Sequence, residues 1–347
     1  MGFWDGRDVL VTGGAGFVGS HVVEELLRRA PRARVTVVDD LSNGSRARLK
    51  GLPARVIRAD LLDPDAARRA CRGRDAVLHL AARVGGVAYN AAHPATMFRD
   101  NFLVNSNVLE GARVGGAERV LMVSSACVYP REAPVPTPES EGFRGAPETS
   151  NEGYGWAKRM AEYQARAYRD EFGLKCAIVR PYNCYGPRDH FEPEIAHVIP
   201  SLLRRVFAGE NPLRVWGDGR ASRAFLYVED FARGLLDAAE HYAVGEPVNI
   251  GTSEEVTVAE LVRLVLEAAA CDARVVFDAT KPAGQPRRNC DARLAQSAFG
   301  FTPRVDLREG LRRTVAWVRE SGVLAPGRRA PRSGATAGRS GMTRPRR

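Results

Sequence analysis

Tyr154 and Lys158, four residues apart in Tyr-Gly-Trp-Ala-Lys, are the pair in this chain best suited to proton and hydride chemistry. On a helix that spacing puts both side chains on one face. A neighbouring ammonium favours the phenolate and brings a tyrosine towards use as a base near neutral pH. Upstream, Ser124-Ser125-Ala126-Cys127 offers a hydroxyl at Ser125 to hold the substrate oxygen whose proton Tyr154 takes. Cys127 follows two residues later, near the end of an apolar run at Val120–Val123. In an α/β sheet, ligands bind at the carboxyl ends of the strands, so a cysteine there is a candidate catalytic residue and not only a small buried one.

Hydride chemistry needs an acceptor, and the N-terminal segment has the pattern of a dinucleotide site. A short apolar strand, Arg7 to Val11, runs into Thr12-Gly13-Gly14-Ala15-Gly16-Phe17-Val18-Gly19, and a helix pattern follows from Ser20 to Ala30. Glycines at 14, 16 and 19, or at 13, 16 and 19, sit between strand and helix, the context in which such a motif is credible. They let the backbone approach a pyrophosphate, while the helix N-terminus supplies N–H donors and positive dipole. Asp39 ends the second strand, Arg34 to Val38, where a carboxylate bonds the ribose hydroxyls and repels the extra phosphate of NADP. The expected cofactor is therefore NAD, held by Gly13, Gly16, Phe17, Val18, Gly19 and Asp39. Asp60 and Leu61 after the third strand are placed at the adenine, and Leu80, Ala81 and Ala82 after His79 along the cofactor's backbone.

The elements that must position these groups alternate. Further apolar runs at 54–59, 76–80, 120–123, 176–179 and 247–250 are separated by amphipathic helical stretches. That pattern predicts an α/β fold: a Rossmann-type, doubly wound parallel sheet with helices on both faces. After Pro181 the pattern loosens, with a helix from Ile199 to Phe207, a capping box at Thr257–Glu260 opening a helix to Ala269, a strand near 274–277 and a final helix near 307–319. The expected organisation is a cofactor domain over 1–183 and 225–251, a smaller mixed α/β substrate-binding lobe over 184–224 and 252–322, and a disordered basic tail over 323–347.

The net charge of +10 bears little on function, because seven arginines beyond residue 325 supply seven of the ten charges and leave +3 for the rest. A nucleic-acid partner is not expected. Six scattered cysteines with no Cys-x-x-Cys pair argue against a disulfide framework or a metal site. No apolar run reaches membrane-spanning length and no signal peptide is visible, so no membrane association and a cytoplasmic location are expected.

The glycine motif at 12–19, His-Leu-Ala-Ala at 79–82 and Tyr154-x-x-x-Lys158 together resemble the extended short-chain dehydrogenase/reductase family, which acts on nucleotide sugars; the resemblance covers residues 7 to 320. Ala-Ala-Arg-Val-Gly-Gly-Val at 81–87, Ser-Ser-Ala-Cys-Val-Tyr-Pro at 124–130, His-Val-Ile-Pro at 197–200 and Lys-Pro-Ala-Gly-Gln-Pro-Arg-Arg at 281–288 are similar to its GDP-L-fucose synthase group. The segment 124–130 is equally similar to the GDP-mannose 3,5-epimerase group. The resemblance implies a redox trio of Ser125, Tyr154 and Lys158. It implies that Cys127 and His197 move protons on the carbons flanking a C4 ketone. It places Gly86, Asn183 and Val198 at the substrate, and Arg223, Arg287 or Arg288, and Arg205 at the diphosphate. It also implies a homodimer through the helix bearing Tyr154 and its neighbour.

Two segments narrow the expectation. Val-Val-Asp-Asp-Leu-Ser-Asn-Gly at 37–44 resembles epimerases that retain NAD through a catalytic cycle, not reductases that consume NADPH. Ser125-Ala126-Cys127 stands where the family's 4,6-dehydratases carry Thr-Asp-Glu, so the acid pair for eliminating water is missing. The expected activity is an NAD-dependent epimerase acting on a GDP-hexose by transient C4 oxidation. A simple 4-epimerase and a 4-keto-6-deoxy-sugar reductase are the alternatives.

Overall fold

In the computed structural model, which describes residues 2–193, 195–281 and 285–325, six strands succeed one another through the first half. They are β1 (Asp8–Thr12), β2 (Arg34–Asp39), β3 (Ala54–Arg58), β4 (Ala76–His79), β5 (Arg119–Val123) and β6 (Lys175–Pro181). The short strands β7 (Cys184–Tyr185), β8 (Leu213–Trp216), β9 (Ser222–Ala224) and β10 (Leu226–Tyr227) precede β11 (Pro247–Ile250), which returns to pair with β6. The resulting seven-stranded sheet is parallel throughout, in the order β11-β6-β5-β4-β1-β2-β3. The order reverses between β1 and β4, and the crevice at their carboxyl ends is the place where such sheets bind ligands.

The apolar runs form strands here because both faces of the sheet are covered. Side chains alternate along each strand. Val9, Val11, Leu78, Leu121 and Val179 therefore enter one core, while Leu10, Val77, Val120, Met122 and Ile178 enter the other. Helix α1 (Phe17–Arg29) lies on the first face; α2 (Pro64–Cys71) lies on the second. The short α3 (Val87–Ala92) leads into α4 (Pro94–Gly115), which joins α5 (Glu152–Phe172) on the second face. After α6 (Val198–Phe207), α7 (Val228–His241) completes the first face with Phe231, Leu235 and Leu236. This is the doubly wound Rossmann-type arrangement the alternation predicts. Helix α1 begins three residues earlier than its apolar pattern suggests, because Gly16 is its N-cap and the glycine-rich motif supplies the first turn. Glycine's poor helix propensity hides that turn in the sequence.

The second lobe has its own core. Strand β8 pairs in parallel with β13 (Val275–Asp278), and β9 lies between β12 (Glu255–Thr257) and β14 (Arg287–Arg288). Apolar residues of α6, α8 (Val258–Ala269) and α10 (Leu307–Ser321) pack together, among them Leu203, Leu261, Val265 and Leu311. The short α9 (Arg293–Phe299) instead joins the sheet core through Ala295. Val323 and Leu324, placed by the sequence reading at the start of the tail, pack against this second core. The basic segment from residue 326 onward lies outside the described residues. Among the described residues, no helix is long and apolar enough to cross a membrane.

The capping box is present as read. Thr257 Oγ1 accepts from the Glu260 N–H at 3.1 Å, and Glu260 Oε2 accepts from the Thr257 N–H at 2.8 Å. Thr257→Ala should cost about 1 kcal/mol of stability, read as a lower urea midpoint with an unchanged slope. A strap from the second lobe reaches α1: a ring N–H at His21 Nε2 donates to the Pro187 carbonyl at 2.9 Å, and Arg188 pairs with Glu24. It ties the segment after β7 to α1.

Candidate active site

The glycine turn between β1 and α1 is shaped for a close-lying ligand backbone. Gly13 adopts φ +67°, and a Cβ there would sit 2.8 Å from the Ala81 nitrogen. Gly19 packs directly against the Gly13 carbonyl, so a side chain at 13 would press on the Leu80–Ala81 segment after β4 and one at 19 on the turn itself. Gly16 brings no side chain to the first-turn N–H groups of α1, which suits a diphosphate. Phe17 is buried edge-to-face against His21; Val18 is half-buried.

Asp39 faces this turn. Its Oδ2 accepts from the Ala15 N–H at 3.0 Å and its Oδ1 from the Leu41 N–H at 2.8 Å. Burial pushes its pKa up, and those two backbone donors oppose the rise. A Cβ on Gly44 would fall 2.6 Å from Oδ1, so that glycine lets the following loop close over the carboxylate. Each carboxylate oxygen keeps a lone pair for a ribose hydroxyl. Arg48, on the 3-10 turn after β2, donates to the carbonyls of Asn43 at 3.0 Å and Ala15 at 3.4 Å.

Elsewhere along the cofactor edge, Asp60 Oδ1 accepts from the Leu62 N–H at 2.9 Å, while Leu61 is buried in the core. The Leu80 N–H donates to the Thr12 carbonyl at 3.2 Å, and Ala81 and Ala82 continue half-buried beyond β4. His79 is locked behind them. Thr12 Oγ1 donates to His79 Nδ1 at 2.7 Å, accepts from the Ala81 N–H at 3.2 Å, and leaves His79 Nε2 to donate to Asn105 Oδ1 at 3.0 Å. Full burial, aided by the charge of Lys158, drops the His79 pKa to about 3, so it is a neutral structural bridge.

Tyr154 and Lys158 lie in the first two turns of α5, on one face as their spacing requires. Lys158 is 3% exposed; its Nζ donates to the Val123 carbonyl at 2.8 Å and lies 5.5 Å from the Tyr154 ring centre. Burial lowers the Lys158 pKa to about 8, against the opposing charges of Glu162 and Cys127. The Tyr154 phenol is pushed up, first by burial and then by Cys127. The phenol is thus shifted away from the phenolate, by burial and Cys127 and with no part played by Lys158, whereas the sequence reading expected the ammonium to lower it. Ser125 caps the 3-10 turn Ala126–Val128 that follows β5, its Oγ accepting from the Cys127 N–H at 3.1 Å. That turn presses on α5 at Gly155, where a Cβ would meet the Cys127 carbonyl oxygen at 2.6 Å. Ser125, Cys127, Tyr154 and Lys158 are therefore gathered at one place.

The residues assigned to substrate fall into different situations. His197 is the N-cap residue of α6 and keeps an exposed edge, while desolvation by the atoms packed around it, with a contribution from His190, holds its pKa below the ordinary imidazole value. Val198 beside it is exposed, and Gly86 caps α3. Asn183 Nδ2 donates to the Ala224 carbonyl at 2.9 Å, fixing the junction of β7 and β10. Arg205 is committed to a two-pronged pair with Glu210, and Arg287 makes a similar pair with Glu255 at 2.9 Å. Arg223 donates to the carbonyls of Ser222 and Gln285, both at 2.6 Å. Arg288 turns to the redox centre, its Nη2 lying 3.9 Å from Cys127 Sγ.

Sequence reasoning missed three residues behind the site. Gly155 permits the contact just described. Glu162, fully buried and four residues after Lys158, accepts from Arg180 Nε at 2.8 Å and Nη2 at 2.6 Å, and from Ser124 Oγ. Arg180 also donates to Tyr129 Oη at 3.0 Å, whose hydroxyl donates to Asn249 Oδ1 at 2.6 Å. This network joins α5, β6, β11 and the segment that follows β5, one turn along α5 from Lys158. The available signal was the i, i+4 spacing of Lys158 and Glu162.

A parallel sheet with a glycine turn at its switch point, and a Tyr–Lys pair over the neighbouring strand ends, define a dinucleotide-dependent enzyme. Residues 9–251 match the NAD dependent epimerase/dehydratase family, and the chain belongs to it. It is 38% identical over 245 residues to GDP-L-fucose synthase 1 of Arabidopsis thaliana, covering 70% of this chain and 76% of that one. It is 33% identical over 327 residues to a dTDP-4-dehydro-6-deoxy-D-allose reductase of a Streptomyces species, covering 91% and 97%. Its structure is similar to UDP-glucose 4-epimerase of Thermotoga maritima, with a TM-score of 0.81, 32% identity, and coverage of 90% of this chain and 99% of that one.

Proposed function

We propose that this protein is an NAD-dependent nucleotide-sugar epimerase, working on a GDP-hexose through transient oxidation at C4. One observation carries the reading: the turn bearing Cys127 packs against α5 at Gly155, next to Tyr154, so a candidate second proton carrier adjoins the Tyr–Lys pair. Bound NAD would take a hydride from C4 and give it back, so the cofactor is not consumed. Ser125 holds the sugar O4 and Tyr154 takes its proton, with Lys158 steadying the phenolate. The C4 ketone then acidifies the protons at C3 and C5. Cys127 and His197, one as base and one as acid, invert one or both of those carbons. The Asp39 carboxylate supports NAD over NADP, since a 2′-phosphate would meet its negative charge. Arg223 is the arginine best placed by its partners to turn to the diphosphate, since Arg205 and Arg287 are each held by a carboxylate. Phe98, Phe102 and Tyr163, exposed on α4 and α5, suit a homodimer through those helices.

The names of the two sequence relatives favour a second reading, in which the same residues reduce a 4-keto-6-deoxy sugar. Incubation with GDP- and UDP-sugars in D2O, without added cofactor, separates the readings. Deuterium at C3 or C5 is the expected result. Cys127→Ser should lose that exchange by a factor of at least about 10² while still oxidising C4. Inversion at C4 without deuterium would make Cys127 idle. Turnover only with NADPH and a keto sugar would sink the epimerase reading.

A further inference from the structure

Arg288 lies on the edge strand β14, paired in parallel with β9 so that Arg288 stands opposite Arg223 and Arg287 opposite Ser222. Alternation along the strand separates the two arginines. Arg287 goes to Glu255, whereas Arg288 points inward to Cys127. An Arg N–H at 3.9 Å from sulfur is a charge-assisted contact, and guanidinium keeps its charge at any working pH. Cys127 is faced by Arg288, Tyr154 and Lys158; Arg288 is faced by Cys127, Tyr182, Glu148 and Arg223.

We propose that Arg288 is the positioning residue for Cys127: its guanidinium compensates the negative charge the sulfur bears when it acts as base. This rests on the reading of Cys127 as a proton carrier. In that step the sulfur takes a proton from the carbon beside the ketone, an S–H bond forms, and the C–H electron pair passes to the enolate oxygen at C4. His197 returns a proton to the opposite face of the same carbon. Negative charge thus leaves the Arg288 end of the site and arrives at the Tyr154–Lys158 end. A cation beside the sulfur favours the anion that starts the step, for the reason cationic surroundings activate thiols generally.

Alkylation of the full chain by iodoacetamide, followed at each cysteine by peptide mass mapping, tests this without any substrate. At pH 7, Arg288→Gln should slow alkylation of Cys127 about tenfold, and Arg288→Lys by less. At pH 10, where a thiol ionises unaided, the three proteins should react alike. Cys271, half-exposed on the second lobe, should keep its rate in all three and so report an intact fold. Equal rates at pH 7, or a slowing that persists at pH 10, would overturn the role of Arg288. The deuterium experiment separates this from the proposed function. A pH-dependent alkylation effect without exchange on any sugar leaves the Arg288 contact standing and removes the epimerase. Exchange at wild-type rate in Arg288→Gln does the reverse.

Discussion

Glu162→Gln should destabilise the fold by about 3–5 kcal/mol, the largest single effect expected in this chain outside the apolar cores. Glu162 and Arg180 are 0% and 1% exposed in their side chains and share two hydrogen bonds. Neutralising Glu162 leaves a buried guanidinium without its paired carboxylate, and Arg180's remaining hydrogen-bond partners are the Tyr129 hydroxyl and the Glu139 carbonyl. Removing both charges is a different matter, since a buried pair recovers little more than its own desolvation. Glu162→Met with Arg180→Met should therefore regain much of the loss, less the bond that Ser124 gives to Glu162. Urea midpoints of the two single variants and the double variant make the comparison. Equal losses in the single and double variants would show that the network acts through packing and not through charge.

Lys158→Met should abolish hydride chemistry and yet leave the protein more stable at pH 7. The buried ammonium has a pKa of about 8 in place of 10.5. A depression of that size corresponds to about 3 kcal/mol of penalty for holding the charge in the fold at neutral pH. Methionine removes the penalty but strips the Val123 carbonyl of its donor, which costs about 1–3 kcal/mol, so the net gain is about 1 kcal/mol. The pH dependence is the stronger test. Between pH 8 and 10.5 the unfolded chain holds the Lys158 proton and the folded chain has released it, so stability rises with pH through that window. The variant lacks this rise, and its advantage should shrink steadily from pH 8 to pH 10.5. A stability difference that stays constant between pH 7 and pH 10 would mean that Lys158 is not desolvated as described.

The sheet was legible because parallel strands covered on both sides read as unbroken apolar runs, as in Val9-Leu10-Val11 and Val120-Leu121-Met122. The Tyr154–Lys158 face followed from helical spacing alone. Other features are not written locally. Arg288 and Cys127 are 161 residues apart and meet only because β14 adds to β9 in one register. The commitments of Arg205 to Glu210 and Arg287 to Glu255 depend on which carboxylate a long side chain reaches first. Tyr154 shows a different limit: a sequence displays its charged neighbour but not the depth at which the phenol is buried.

The contact of Gly155 with the Cys127 carbonyl has a consequence for how such an enzyme diversifies. The helix bearing Tyr154 and Lys158 and the turn bearing Cys127 are pressed together at Gly155, which leaves no room for a Cβ between them. Under the proposed function, exchanging the side chain at position 127 changes which bond of the sugar is remade while Tyr154 and Lys158 stay in register. Any residue larger than glycine at 155 would shift both at once. On that reading a new reaction is reached by replacing a single side chain at the turn, with the spacing between turn and helix held constant by a missing one at Gly155.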